Sequence, residues 1–233
     1  MSIQINYKNN SSKKPSTNLI LFVEENFNIN GLKKLISNTE FSYINDLLKN
    51  NDLKKNLLFF EVNSKKTIFL VSIKKNLEAS DIENLGAEFH GYINYDKKNE
   101  YSLNSDSLNN ESKNILGHFL HGLKLKSYKF NIYKSKQDKK TISVNIIGNK
   151  NKLTAQNELR FKAIEKGTFF ARDLVSEPPN VLNPKEYANR LLKLKKFGIK
   201  VTIYNESQMK KLGMHSLLGV GRGSVNESFL VTL

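Results

Sequence analysis

Residues 171–203, ARDLVSEPPNVLNPKEYANRLLKLKKFGIKVTI, decide how the last third of the chain is built. The stretch opens on the end of a long helix predicted over about Leu153–Val175, whose Leu159, Ala163, Gly167, Phe170/Ala171 and Leu174 recur at three and four. Pro178-Pro179 stops that helix, because the residue before a proline is pushed out of the α region. A second helix then starts. Asn183 is a good N-cap, Pro184 suits the first helical position and Glu186 closes a capping box at the third. Gly198 follows as the C′ residue, and Ile199, Val201 and Ile203 alternate as a strand. Asn205 or Ser207 opens a short helix to Leu212-Gly213, and Phe229–Leu233 begins another strand, within which the sequence ends. Helix and strand in alternation define an α/β unit.

Working outward, the N-terminal part carries the same signals. Leu19–Val23, Leu57–Val62 and Thr67–Ile73 are short runs rich in apolar, β-branched and aromatic residues and read as strands. Between them Ser37-Asn-Thr-Glu40 has the capping-box form ahead of Phe41, Ile44, Leu47 and Leu48. Ser80–Tyr92 is a helix, and Asn94–Asn114 is a polar loop around a short strand. A helix over about Ser112–Tyr128 puts Leu116, Phe119/Leu120 and Leu123 on one face, with lysines crowding its C-terminal end, where the dipole favours cations. Thr141–Ile147 alternates as a strand, and Gly148-Asn-Lys-Asn151 breaks it. That break divides the chain into 1–150, a linker helix over 151–178, and 179–233.

The 233 residues hold fourteen Phe and nine Tyr, enough to build cores. Cysteine is absent, which excludes disulfides, thiolate zinc, iron–sulfur clusters and cysteine nucleophiles together. The N-terminus, MSIQINYKNNSSKKPS, has no apolar h-region, and no segment approaches the ~18 apolar residues of a membrane span. A cytoplasmic protein with no membrane partner is the expectation. The net charge of +15 is uneven. Residues 1–112 are neutral, whereas 113–152 hold ten lysines (Lys113, Lys124, Lys126, Lys129, Lys134, Lys136, Lys139, Lys140, Lys150, Lys152) against Asp138 alone. Such a belt could attract phosphate or an acidic surface. Arginine, which makes the bidentate contacts of specific readers, occurs only at Arg160, Arg172, Arg190 and Arg222.

No pattern carries chemistry by itself. His118 and His121 could share a metal, but no carboxylate lies within a turn, and a helix-face pair is the better reading. His90 and His215 have no evident partners. Gly219-Val-Gly-Arg-Gly223-Ser224 lacks both the Walker spacing and a following helix, so it reads as a tight turn. Asp173 and Glu177 share a helix face with Arg172 and Lys166 nearby, a solvated polar face. There is no G-x-S-x-G elbow.

Three segments in order nevertheless resemble one family. Ala171-Arg-Asp-Leu-Val-Ser-Glu-Pro-Pro-Asn-Val-Leu-Asn-Pro184, Met209-Lys-Lys-Leu-Gly-Met214 and Leu218-Gly-Val-Gly-Arg-Gly-Ser224 resemble the leucyl (cytosol) aminopeptidase family, which carries A-R-D-L-x-N-x-P-x-N-x-x-x-P, then K-L-G-M, then a-x-G-x-G-S. Ser42-Tyr-Ile-Asn-Asp-Leu-Leu48 with Asp52-Leu53, and Ser127-Tyr-Lys-Phe130 with Tyr133-Lys-Ser135, are similar to its N-terminal domain. Ser176 stands where the family more often has Asn.

The resemblance implies a macro-like α/β N-terminal domain, a mixed sheet with helices on both faces, joined by the long helix to an α/β catalytic domain that is incomplete here. It implies metal-dependent release of N-terminal amino acids from peptides by two divalent metals, Mn or Zn, in a hexamer. The family's ligands and catalytic Lys and Arg lie in V-G-K-G-x-T-F-D-x-G-G and N-T-D-A-E-G-R, beyond the position of Leu233, and no residue here matches them. No catalytic, cofactor or metal residue is therefore assigned, and the expectation is a truncated portion, inactive alone, whose partners are further copies of itself or a separately encoded catalytic half. The alternatives are an assembly or DNA-binding module acting through the belt 113–152, as the resemblance implies for some bacterial members, and a non-functional remnant.

Overall fold

The computed structural model describes residues 2–7, 18–95, 98–108, 114–136 and 140–233. They form two compact units that divide within one long helix, Met1–Phe169 and Phe170–Leu233.

The first unit is built on six strands, β1 (Ser2–Asn6), β2 (Asn18–Glu24), β3 (Leu57–Glu61), β4 (Thr67–Ile73), β5 (Glu100–Asn104) and β6 (Thr141–Ile147). They lie in the order β1-β6-β5-β2-β4-β3, all neighbours parallel except the β3–β4 pair. The mixed sheet with helices on both faces is thus as expected. β2 and β4 are buried along six consecutive residues each, the continuous apolar reading of a strand covered on both faces. Even side chains of β2 (Ile20, Phe22) enter one core with Phe69, Tyr101, Val144 and Phe119, and odd ones (Leu19, Leu21, Val23) enter the other with Ile44 and Leu58.

α1 (Asn38–Leu48) covers the second core and begins as the sequence says, with the Ser37–Glu40 capping box formed in both directions. Glu40 also receives Lys66 from the β3–β4 turn. α2 (Ala79–Tyr95) and α3 (Ile115–Lys126) cover the first core, where Phe69, Phe89, Phe119 and Phe22 meet edge-on or tilted at 5.2–5.7 Å between centroids. α3 starts at Ile115, not Ser112; residues 109–113, part of the expected loop, lie outside the described residues, and Asn114 is left-handed at φ 55°. α4 (Ala155–Ser176) is the predicted long helix, begun two residues later than expected.

α2 and α3 touch through glycine. A methyl on Gly86 would strike the Phe119 carbonyl oxygen, and one on Gly122 would strike the Glu83 carbonyl oxygen. Only hydrogen at these Cα atoms lets the two backbones meet.

In the second unit α4 ends before Pro178-Pro179, and Asn183 caps α5 (Pro184–Leu192) by accepting the Glu186 N–H at 3.0 Å. The box there is half made, because Glu186 Oε1 is taken by Arg190 Nε at 3.0 Å. Gly198 adopts φ +83°, as a C′ residue should. β7 is only Thr202–Tyr204, shorter than the Ile199–Ile203 alternation suggests. Its partner β8 (Leu230–Thr232) offers three pairings, Thr202↔Thr232 through Tyr204↔Leu230, and a strand extends only as far as its ladder. α6 (Glu206–Lys211) starts from the Asn205–Gln208 capping box, and α7 (His215–Gly221) follows.

The glycine contact makes a test with opposite signs. Gly122→Ala gains ~1 kcal/mol of helix propensity but forces α2 and α3 apart, an overpacking cost of ~1–3 kcal/mol. Gly91, also in α2, has open space around its Cα. Urea unfolding should show Gly122→Ala less stable than the parent and Gly91→Ala equally or more stable.

Candidate functional site

The two helical histidines meet a carboxylate from another helix. His118 and His121 on α3 both present Nδ1 to Glu83 Oε1 of α2, at 3.0 Å each, so the carboxylate that local sequence lacks comes from 35 and 38 residues upstream. The side chain of His121 is 6 % exposed, and its Nε2 has no hydrogen-bond partner. Phe161 of α4 stands edge-on to His118 at 5.0 Å and tilted against His121 at 5.4 Å. A Cβ on Gly117 would enter the Phe161 ring, so α3 is also drawn tightly to α4. The cluster is therefore a polar joint between three helices. Among the described residues no group of three or more His, Cys, Asp or Glu could hold a metal ion.

Burial works to raise the Glu83 carboxyl pKa, but the hydrogen bonds from His118 and His121 outweigh it and hold the group below its ordinary value. His90 is buried too, and its Nε2 has no partner. Its pKa is lowered first by burial and then by Lys129 and Lys126.

The Asp173/Glu177 face is not a solvated one. Glu177 is 4 % exposed and receives Arg190 Nη1 at 2.9 Å, while Arg190 Nε holds Glu186. The hydrogen bonds of Glu186 and then Glu177 raise the arginine pKa and keep it charged. Arg190 therefore ties the end of α4 to α5 across the Pro178-Pro179 bend. Gly219–Ser224 is a turn only in part: Gly219 and Gly221 lie inside α7, the turn follows at Arg222-Gly223, where the Ser224 N–H donates to the Gly221 carbonyl at 3.0 Å, and a Cβ on Gly221 would strike the Ser228 hydroxyl. Beside α5, Tyr187 and Leu191 form with Phe229 and Val231 an open apolar groove of about 450 Å³.

The lysine belt is not one patch. Lys140 precedes and Lys150 follows the seven residues of β6, which sets them ~20 Å apart. Lys124 spends its charge internally, donating to the Ile3 carbonyl at 2.7 Å and facing Glu165 at 3.2 Å. Lys113, Asp138 and Lys139 lie outside the described residues.

Fold and sites together define a two-unit α/β chain whose second unit carries the aminopeptidase-like segments. Residues 169–233 match the family model described as cytosol aminopeptidase family, catalytic domain. A probable cytosol aminopeptidase of Agrobacterium fabrum is 40 % identical over 121 residues, covering 49 % of this chain and 24 % of that protein. That of Caulobacter vibrioides is 42 % identical over 116 residues, covering 48 % and 24 %. Among solved structures, a tomato leucine aminopeptidase mutant superposes with a TM-score of 0.73 at 19 % identity, over 99 % of this chain and 50 % of that one. The bottromycin maturation enzyme BotP follows with 0.66 at 16 % identity, over 93 % and 45 %; at such identities the likeness is one of fold. Over these segments the chain is similar to the cytosol aminopeptidase family, and it spans about a quarter of the length of the curated relatives it matches. No helix among the described residues is long and apolar enough to cross a membrane.

The Glu83 joint has a pH signature. A carboxyl held low in the folded state contributes stability above its unfolded pKa and loses it as pH falls through the folded one. Below about pH 4.3 the parent chain should lose urea resistance more steeply than Glu83→Gln. Equal slopes would remove the histidines as the cause.

Proposed function

We propose that residues 1–233 are the N-terminal unit and the opening segment of the catalytic domain of a leucyl aminopeptidase-type protein of the cytoplasm. The family reaction is the metal-dependent release of N-terminal amino acids from peptides, and in this reading these 233 residues alone do not perform it. The observation that carries the proposal is the match of residues 169–233 to the family model described as the catalytic domain, in a stretch that holds no residues matching the family's metal-binding motifs.

The donor chemistry supports the same reading. Two divalent metals need several convergent oxygen ligands. In the second unit Glu177 and Glu186 are both held by Arg190, and Glu206 Oε1 accepts the Ser228 N–H at 2.8 Å. In the first, Glu83 is bridged by two histidines. These four carboxylates serve helix ends and joints, and they do not fit a two-metal centre. No step through a metal is derived for them.

Purified chain incubated with Mn²⁺ or Zn²⁺ and a leucyl chromogenic substrate should give no turnover above the metal blank. Turnover that depends on added metal and is abolished by chelation would contradict the proposal.

A further inference from the structure

β3 ends the six-stranded sheet on one side, and among the described residues no strand pairs with its outer edge. Bulges, prolines and lysines are the devices that keep an edge strand from joining another. β3 has none of them: it pairs with β4 over five consecutive residues without a bulge, and Leu57-Leu-Phe-Phe-Glu61 holds no proline and no lysine. The opposite edge, β1, differs in carrying Ser2, Gln4 and Asn6. Beside β3 the surface is apolar. Phe59 is 49 % exposed, and Tyr43 of α1 and Leu53, in the loop that leads into the strand, are exposed too.

The hydrogen bonds to β4 fix which backbone groups face outward. Asn56 accepts the Ser72 N–H at 2.9 Å and Val62 donates to the Lys66 carbonyl at 2.9 Å, so the even-numbered residues of β3 bond β4. Leu57, Phe59 and Glu61 therefore turn their N–H and C=O groups away from the sheet. The Glu61 carbonyl is taken by the Tyr43 hydroxyl, which donates to it at 3.4 Å. The N–H and C=O groups of Leu57 and Phe59 have no partner among the described residues.

We propose that this edge pairs antiparallel with the same edge of a second copy of the chain, about a two-fold axis at Leu58. In that register Leu57 of each copy lies opposite Phe59 of the other, and each such pair exchanges two hydrogen bonds. Every open group of Leu57 and Phe59 is then used, and the Tyr43–Glu61 bond stays intact. A two-fold at Phe59 would instead claim the Glu61 carbonyl and break that bond. Charge selects the same register, because it sets Glu61 of each copy opposite Lys55 of the other. Both are exposed, and among the described residues neither forms an ion pair within its own chain. Parallel pairing would put Lys55 beside Lys55 and Glu61 beside Glu61, like charges that repel. Phe59, whose ring lies 5.9 Å from Phe69 and 5.8 Å from Tyr92, is covered by the second copy and extends the aromatic face across the junction.

Sedimentation of the full chain should show a concentration-dependent dimer at about 0.1 mM. As it forms, the Leu57 and Phe59 amides should gain protection from hydrogen exchange. Phe59→Lys, a charge placed on the edge, should leave the chain folded and monomeric. Lys55→Glu and Glu61→Lys should each weaken the dimer on the order of tenfold, and the two together should restore it, a recovery that misfolding cannot produce. A monomer throughout, a dimer whose Leu57 and Phe59 amides exchange as in the monomer, a dimer indifferent to Phe59→Lys, or a charge swap that fails to restore pairing would each overturn the proposal. β3 lies outside residues 169–233, so this test and the peptidase assay can fail separately.

Discussion

The contact between α2 and α3, made backbone to backbone at Gly86 and Gly122, is the constraint on which the first unit depends. Without Cβ atoms at these positions the helices approach closely enough for Phe89 and Phe119 to sit at 5.7 Å over the sheet and join Phe22 and Phe69 in one aromatic core. The same approach brings Glu83 between His118 and His121. Gly117 extends the pattern to α4 through Phe161. Three buried features of the unit thus follow from glycines on α2 and α3. An alanine at Gly86 or Gly122 has helix propensity in its favour and geometry against it, and geometry is the larger effect.

What was legible in the sequence was local. β4 and the Ser37 capping box appear within a residue of their expected places, because continuous apolar runs and cap chemistry act over a few positions. Asn183 and Gly198 were legible for the same reason. What was not legible lies far apart in the chain. Glu83 is 35 residues from His118, and a search within one helical turn could not find it. Glu177 reads as solvated beside Arg172, yet its partner Arg190 waits beyond two prolines and another cap. The length of β7 was overestimated because alternation marks where a strand could form, while its partner strand decides where it does. Strand order left no local signature either, because it is set by packing both faces of the sheet at once.

The two units differ in how they bury themselves. The first closes two cores, one on each face of its sheet. In the second, Ala188, Val201 and Met209 are the buried apolar side chains, while Phe197, Leu212, Val220 and Val225 are exposed. Its elements are held instead by caps, by the Arg190 pairs and by three strand pairings, and a two-stranded ladder is marginal without a packed face. The segment that carries the family's sequence is therefore the one with least hydrophobic stabilisation of its own. A two-metal centre depends on side chains locked by packing around them, and residues 170–233 do not by themselves offer that packing.

The central claim is that the two closed cores of the first unit carry the stability of the chain. Native-state amide hydrogen exchange measures it residue by residue. The account predicts that amides of β2, β4, α2 and α3 exchange only through global unfolding, whereas those of α5, α6 and α7 exchange through local openings at least ~1.4 kcal/mol less costly, a tenfold difference in protection. Protection of α5–α7 equal to that of β2 and β4 would contradict it.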